Sequence, residues 1–289
     1  MRLVRDYSSL PGFQPQSLAL VTLAQETKLL TLAYNGSTGR VYSESLTPEA
    51  ELETYIDNPA ALVAGSRNLV QLERGGLLVV RSAGTEGFGS AKQRIGAAAR
   101  YGASGTCAAT ANTDAAEAII ASESFVITNN AVASPNNKLN LYNGSTGACI
   151  VGAQPAGPAT TMWPVAMKYS SSQAKLFVLY HPFTGALSNA QIWSFPVTAV
   201  GLGGGQLVYN DVDGEITLLS ATPAANSASL AYFESASEKF ILVGTNFGTV
   251  LKLPYDSESG LASKPDDLPF IEASVYTRAI SSLIVVPTR

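Results

Sequence analysis

One stretch near the C-terminal end, residues 239–255 (KFILVGTNFGTVLKLPY), narrows the choice of folds more than any other part of the chain. Its first apolar run ends at Val243, a turn is centred on residues 246–248, and a second run with alternating apolar residues follows. A glycine turn between two such runs is typical of a β-hairpin. The stretch therefore predicts two antiparallel strands joined by a tight turn.

Similar strand–turn–strand units recur along the chain, which predicts a repeat architecture. Seven copies can be outlined, at residues 17–46, 60–81, 105–121, 124–152, 164–195, 228–255 and, for the last, 270–286 together with 2–7. Three copies share the signature Tyr-x-x-x-Thr-Gly, which begins at Tyr34, Tyr142 and Tyr180.

Pairing a strand at residues 2–7 with the strands at 270–286 would remove the open sheet edges, as β-propellers do. We therefore predict an all-β fold with one domain over residues 1–289. The domain is expected to be a seven-bladed β-propeller closed by its N-terminal strand, with six or eight blades as alternatives.

Residues 240–248, followed by 249–256, resemble the blades of WD-repeat and YVTN-type propellers. The resemblance rests on the blade pattern and extends over most of the chain. It implies the propeller fold and the binding of partners at the ends of the ring. It implies no catalytic residue.

The spacing between successive predicted turns is longer around residues 197–220 than elsewhere. This longer spacing predicts an inserted hairpin. The alternative is a poorly formed eighth blade or a longer inner strand. Functional groups often lie on such additions to a rigid scaffold. We therefore expect a non-enzymatic binding or assembly module that contacts a protein partner through Tyr209, Asp211 and Asp213. Deleting residues 199–218 is expected to leave the fold intact and to abolish partner binding.

Two other functions are compatible with the sequence. A carbohydrate-binding lectin would hold a sugar against the rings of Trp163 or Trp193. A propeller hydrolase or lactonase would gather acidic groups or a metal at the ring axis. The single histidine, His181, lies in a predicted turn, and the Asp-x-Asp-Gly pattern at 211–214 is an incomplete calcium loop. No catalytic residue, metal or cofactor is therefore predicted.

Composition restricts the class of partner. Only 14% of residues are charged and the net charge is −4, which disfavours nucleic acid as a ligand.

The low content of charged residues favours a secreted or periplasmic protein, although the N-terminus lacks the apolar segment of a signal peptide. No apolar run reaches the roughly 18–20 residues that span a bilayer. Cys107 and Cys149 either pair in an oxidising compartment or are buried separately.

Overall fold

A computed structural model describes residues 14–23, 26–34, 39–45, 53–56, 66–72, 76–81, 84–88, 100–132, 137–159, 161–182, 189–214, 216, 229–245 and 250–264. These residues form five antiparallel β-sheets and contain no helix, which confirms the all-β prediction for this part of the chain. Within the same ranges, no helix is long and apolar enough to cross a membrane. The predicted closing strands at 2–7 and 270–286 lie outside these ranges.

The strands of the first three sheets follow one another in chain order. The first sheet contains β1 (Gln14–Leu23), β2 (Glu26–Tyr34), β3 (Gly39–Ser45) and β4 (Glu53–Ile56). The second contains β5 (Ser66–Gln71), β6 (Leu77–Arg81), β7 (Gly84–Phe88) and β8 (Arg100–Tyr101). The third contains β9 (Ala115–Ile120), β10 (Glu123–Asn129), β11 (Leu139–Asn143) and β12 (Cys149–Ala153).

The fourth sheet has an additional short strand. It contains β13 (Met162–Ser170), β14 (Lys175–Pro182), β15 (Gln191–Thr198), β16 (Gly201–Leu202) and β17 (Gln206–Asn210), and both of the last two pair with β15. The fifth contains β18 (Ser229–Glu234), β19 (Lys239–Gly244), β20 (Val250–Asp256) and β21 (Leu261–Ala262).

The first strands of the five sheets, β1, β5, β9, β13 and β18, pack beside one another in chain order. The other strands of each sheet follow outward from its first strand. This is the arrangement of propeller blades around an axis. The described residues thus form a β-propeller arrangement with five blades.

Both faces of a blade are buried, which explains the continuous apolar runs in the sequence. In β14, Leu176, Val178 and Tyr180 pack into the core between blades three and four. The intervening Phe177 and Leu179 pack into the core between blades four and five. Because successive side chains of a strand point to opposite faces, burial on both sides requires apolar residues at every position.

The third and fourth predicted copies belong to one blade, so the count of seven blades is not confirmed. Strands β9 and β10 form a hairpin in which Ile120 pairs with Glu123. The two turn residues, Ala121 and Ser122, have positive φ angles of 49° and 68°. The third copy was expected to begin with a strand at residues 105–111, which is wrong, because this segment is a crossover between blades two and three with only one isolated bridge.

The first strand of the predicted inserted hairpin belongs to blade four. Strand β17 pairs with β15 from Gln191 opposite Asn210 to Ser194 opposite Gln206. Val208 contributes to the core between blades four and five. Deleting residues 199–218 would therefore remove a blade strand together with core side chains, so the expectation that this deletion spares the fold is corrected. Residues 215 and 217–220, at the end of the predicted insertion, lie outside the described ranges.

The two cysteines form a disulfide, which decides between the two alternatives that the sequence left open. Cys107 lies in the crossover that leads from blade two to blade three, and Cys149 begins β12 at the outer edge of blade three. Their Cα atoms are 6.1 Å apart. The bond thus ties the crossover to the blade that follows it.

Candidate functional site

A row of polar groups links the inner strands of four successive blades. Ser17 Oγ donates a hydrogen bond to Asn68 Oδ1, and Asn68 Nδ2 donates to Asp114 Oδ1 at 2.7 Å. The backbone N–H of Met167 donates to Asp114 Oδ2 at 2.7 Å, and that of Leu69 donates to Ser17 Oγ at 3.1 Å. An inner strand is the edge of its sheet, so these N–H groups need acceptors from outside the sheet. We call this row the inter-blade belt.

Asp114 is the one acidic member of the inter-blade belt. Burial raises its pKa from 3.8 to about 6, while hydrogen bonds from Met167, Ala115 and Asn68 act in the opposite direction. The two carboxyl oxygens accept three hydrogen bonds, which occupy most of the roughly four lone-pair positions of a carboxylate. Asp114 is therefore engaged in joining blades two, three and four.

Asparagine side chains hold the crossover that leads into β9. Asn129 Oδ1 accepts hydrogen bonds from the backbone N–H groups of Thr113 and Asp114, at 3.0 Å and 2.9 Å. Asn130 and Asn140 bind backbone groups of the same crossover, at residues 110–111 and 108 respectively. Because this segment has no strand partner, amides that both donate and accept satisfy its backbone.

A small cavity of about 40 Å³ lies between blades three and four, at the end of the ring where β13 begins. Its lining residues are Asn137, Gln154, Pro155, Pro158, Ala159, Met162 and Tyr180. The Tyr180 side chain is 1% exposed, and its hydroxyl has no hydrogen-bond partner among the described residues.

The two tryptophans of the carbohydrate-binding alternative are both packed against protein. Trp163 is 6% exposed and belongs to the core between blades four and five, where its ring centroid lies 6.4 Å from that of His181. Trp193 is half-buried, and its Nε1 donates to Gln191 Oε1 at 2.9 Å. Its ring lies against Gly157. The two rings therefore do not form a common binding surface.

The contact between Trp193 and Gly157 predicts that a larger residue at position 157 destabilises the fold. A Cβ at position 157 would lie 2.4 Å from Trp193 Cζ3, and Gly157 has a φ of +135°. We expect Gly157→Ala to lower the free energy of unfolding by about 2 kcal/mol or more, through overpacking and backbone strain. Chemical denaturation followed by tryptophan fluorescence measures the loss.

Gly204 provides the matched control for this substitution, because a Cβ there would meet no atom within 4 Å. Gly204→Ala should leave the free energy of unfolding within about 0.5 kcal/mol of the original value. Equal stability of the two variants would show that Trp193 does not press on position 157.

The three residues predicted to bind a protein partner lie in different surroundings. Tyr209 is 9% exposed and belongs to the core between blades four and five. Asp211 is 1% exposed, and its Oδ2 accepts a hydrogen bond from the N–H of Ile216 at 2.7 Å. Asp213 is exposed and forms an ion pair with Lys264, with an N–O distance of 2.9 Å. Only Asp213 of the three presents its side chain to solvent.

Two exposed apolar residues that the sequence did not single out lie on the two segments that carry Asp213 and Lys264. Val212 is 68% exposed and Leu261 is 50% exposed. Gln206 Nε2 donates to the Ser259 carbonyl at 2.8 Å, so the start of β17 lies against the segment that leads into β21. The Asp213–Lys264 ion pair joins the same two segments further along the chain. The two segments therefore run side by side in the same direction. We call the four exposed residues of these two neighbouring segments, Val212, Asp213, Leu261 and Lys264, the blade 4–5 seam.

The fold defines a β-propeller protein. No protein-family model and no curated protein sequence matches the chain. In contrast, 268 chains of solved structures are similar to it. One of them is the crystal structure of an ancestral GH74 enzyme, with a TM-score of 0.52 and 11% sequence identity. The alignment covers 96% of this chain and 40% of that enzyme's chain. At this level of identity, the likeness shows the fold alone.

Proposed function

We propose that the protein is a binding module that presents the blade 4–5 seam to a protein partner. The observation that carries this proposal is the exposure of Val212 and Leu261, at 68% and 50%, on neighbouring segments. Single exposed apolar residues are common on protein surfaces, whereas adjacent ones beside polar groups are typical of interaction sites. Covering these two side chains would remove apolar surface from water, which favours association.

The scaffold beneath the seam supports recognition by a preformed surface. The outer strands β17 and β21 belong to blades whose shared core includes Val208, Leu253 and Tyr255. A surface on such a core loses little conformational freedom when a partner binds. The exposed ion pair between Asp213 and Lys264 joins the same two segments, and charges at the border of an interface contribute to orientation and specificity.

The disulfide supports an extracytoplasmic setting for this function. Cys107 and Cys149 are bonded, and disulfides persist mainly in oxidising compartments. Together with the low content of charged residues, the bond favours a secreted or periplasmic binding protein.

An enzyme is the second candidate, because a GH74 enzyme shares the fold. Glycoside hydrolysis typically uses two carboxyl groups about 5–10 Å apart that face the substrate. Asp114 has the raised pKa of a general acid, but its oxygens are occupied by protein donors. We therefore prefer the binding function. Release of reducing ends from a panel of soluble polysaccharides, in proportion to protein concentration, would replace the binding proposal with the enzyme one.

The binding proposal is tested by comparing three immobilised proteins, namely the original chain, Val212→Ser/Leu261→Ser and the control Val200→Ser. Val200 is 80% exposed in the turn between β15 and β16, away from the seam. Extracts of the native source are passed over each protein, and the captured proteins are quantified by mass spectrometry. We expect a protein that the original chain and the control capture equally and that the seam variant captures at least about tenfold less.

Circular dichroism establishes that the three immobilised proteins are folded alike. Equal capture of every protein by all three would contradict the proposal. Loss of capture with the Val200 control alone would also contradict it, because binding would then lie on another part of the rim.

A further inference from the structure

The cavity between blades three and four has a polar group that the fold does not use. Tyr180 lies on β14 and is 1% exposed, and its hydroxyl has no hydrogen-bond partner in the part of the chain that the structure describes. Leaving a buried hydroxyl without a partner costs about 1–3 kcal/mol. The same residue lines the cavity, so a molecule there could supply the missing hydrogen bond.

The volume of the cavity limits the size of the group that fits. At about 40 Å³, it has room for about three water-sized groups. A hydroxymethyl group or a vicinal diol occupies a similar space, whereas a whole sugar ring does not.

The lining of the cavity determines the chemical class of this group. None of the described residues that line it has a charged side chain. Burial raises the pKa of Tyr180 well above its ordinary value of 10, so the phenol stays neutral. An ion placed there would lose its hydration without gaining a counter-charge. The cavity therefore suits a neutral group.

Apolar and polar surfaces are combined in the lining. Met162, Pro155 and Pro158 offer surfaces that suit carbon–hydrogen groups. Asn137 is held in place by donating from Nδ2 to the Met162 carbonyl at 2.9 Å. A neutral compound with both carbon–hydrogen groups and a hydroxyl matches this combination.

We propose that the cavity between blades three and four binds a hydroxymethyl group or a vicinal diol of a neutral polyol, with the Tyr180 hydroxyl as its hydrogen-bond partner. The ligand is either a small free polyol or the exocyclic group of a sugar whose ring stays outside. This site is separate from the blade 4–5 seam, and its existence does not depend on the function proposed for that surface.

The test uses saturation-transfer NMR with glycerol and, separately, with glucose. Tyr180→Phe removes the hydroxyl and keeps the ring. Tyr255→Phe is the matched control, because the Tyr255 hydroxyl is likewise buried, has no hydrogen-bond partner within the described ranges, and does not line the cavity. We expect polyol binding by the original protein and by Tyr255→Phe, and about fivefold weaker binding by Tyr180→Phe, equivalent to one neutral hydrogen bond.

Binding of glycerol alone identifies a free small polyol as the ligand, and binding of both compounds identifies the hydroxymethyl group of a sugar. No transfer to either compound, or equal binding by all three proteins, would overturn the proposal. Thermal unfolding without polyol provides a second measurement, in which both phenylalanine variants should be at least as stable as the original chain. A clear loss of stability in Tyr180→Phe would show that its hydroxyl already has a partner and would also overturn the proposal.

Discussion

Replacing Asp114 with alanine is expected to lower the free energy of unfolding by about 3–5 kcal/mol at pH 5. The substitution leaves three buried donors without their acceptor, namely Asn68 Nδ2 and the backbone N–H groups of Ala115 and Met167. Each unsatisfied buried donor costs about 1–3 kcal/mol before the surroundings relax. Urea denaturation followed by circular dichroism measures the loss.

Asp213→Ala is the matched control, because its carboxylate makes an exposed ion pair that is worth no more than about 1 kcal/mol. A loss below 1 kcal/mol for Asp114→Ala would show that the inter-blade belt does not hold the blades together.

The same variant should differ from the original chain in its response to pH. In the folded protein Asp114 keeps its proton up to about pH 6, whereas the unfolded chain releases it near pH 3.8. Between these values the folded state binds more protons, so Asp114 makes the unfolding free energy fall as pH rises, by about 3 kcal/mol in total. Asp114→Ala lacks this contribution. The difference in stability between the two proteins should therefore be larger at pH 4.5 than at pH 7.5.

Replacing both cysteines with serine is expected to cost about 4 kcal/mol of unfolding free energy. Cys107 and Cys149 are 42 residues apart, and a bond that closes a loop of that length lowers the entropy of the unfolded ensemble and raises its free energy by about this much. Urea denaturation of Cys107→Ser/Cys149→Ser measures the effect, and the original protein treated with a reductant is the control.

The reduced original protein should lose a similar amount of stability, because it lacks the same bond. Two titratable thiols in the unfolded, unreduced original protein would contradict the disulfide. A double variant within 1 kcal/mol of the original would contradict its stabilising role.

The sequence predicts individual hairpins well where both faces of a strand are buried. The runs at 17–23 and 28–34 form β1 and β2, and the stretch that begins at Lys239 forms β19 and β20. Burial on two sides requires uninterrupted apolar residues, and this requirement is visible in a single sequence.

The division of hairpins into blades could not be predicted, because the same turn sequence joins different pairs of strands in different blades. The signature that begins at Tyr34 joins β2 to β3, the second and third strands of blade one, whereas the one that begins at Tyr142 joins β11 to β12, the third and fourth of blade three. Asn143 Oδ1 accepts hydrogen bonds from two backbone N–H groups of its turn, which Gly147 completes with a φ of 72°. Such a local turn fits any hairpin.

The turn between β9 and β10 was missed for the opposite reason. Two-residue hairpin turns with positive φ usually contain glycine or asparagine. Here Ala121 and Ser122 adopt these angles, so the sequence has no turn signal. As a result, the sequence predicts two copies where the structure has one blade. The five described blades begin at residues 14, 66, 115, 162 and 229.

The candidate sites depend on contacts between residues that are far apart in the sequence. Asn68 and Asp114 meet although 46 residues separate them. The sequence predicts that Asp211 contacts a protein partner, but Asp211 is 1% exposed and its carboxylate accepts a hydrogen bond from the N–H of Ile216. Neither relation leaves a local pattern, since burial depends on how neighbouring blades pack.

The function proposed for this protein requires that a protein partner cover the blade 4–5 seam. Hydrogen–deuterium exchange of the original chain, with and without the partner obtained by capture, measures this most directly. The account predicts slower exchange at residues 209–214 and 259–264 when the partner is bound. Slower exchange elsewhere on the propeller, with unchanged exchange in these two segments, would contradict it.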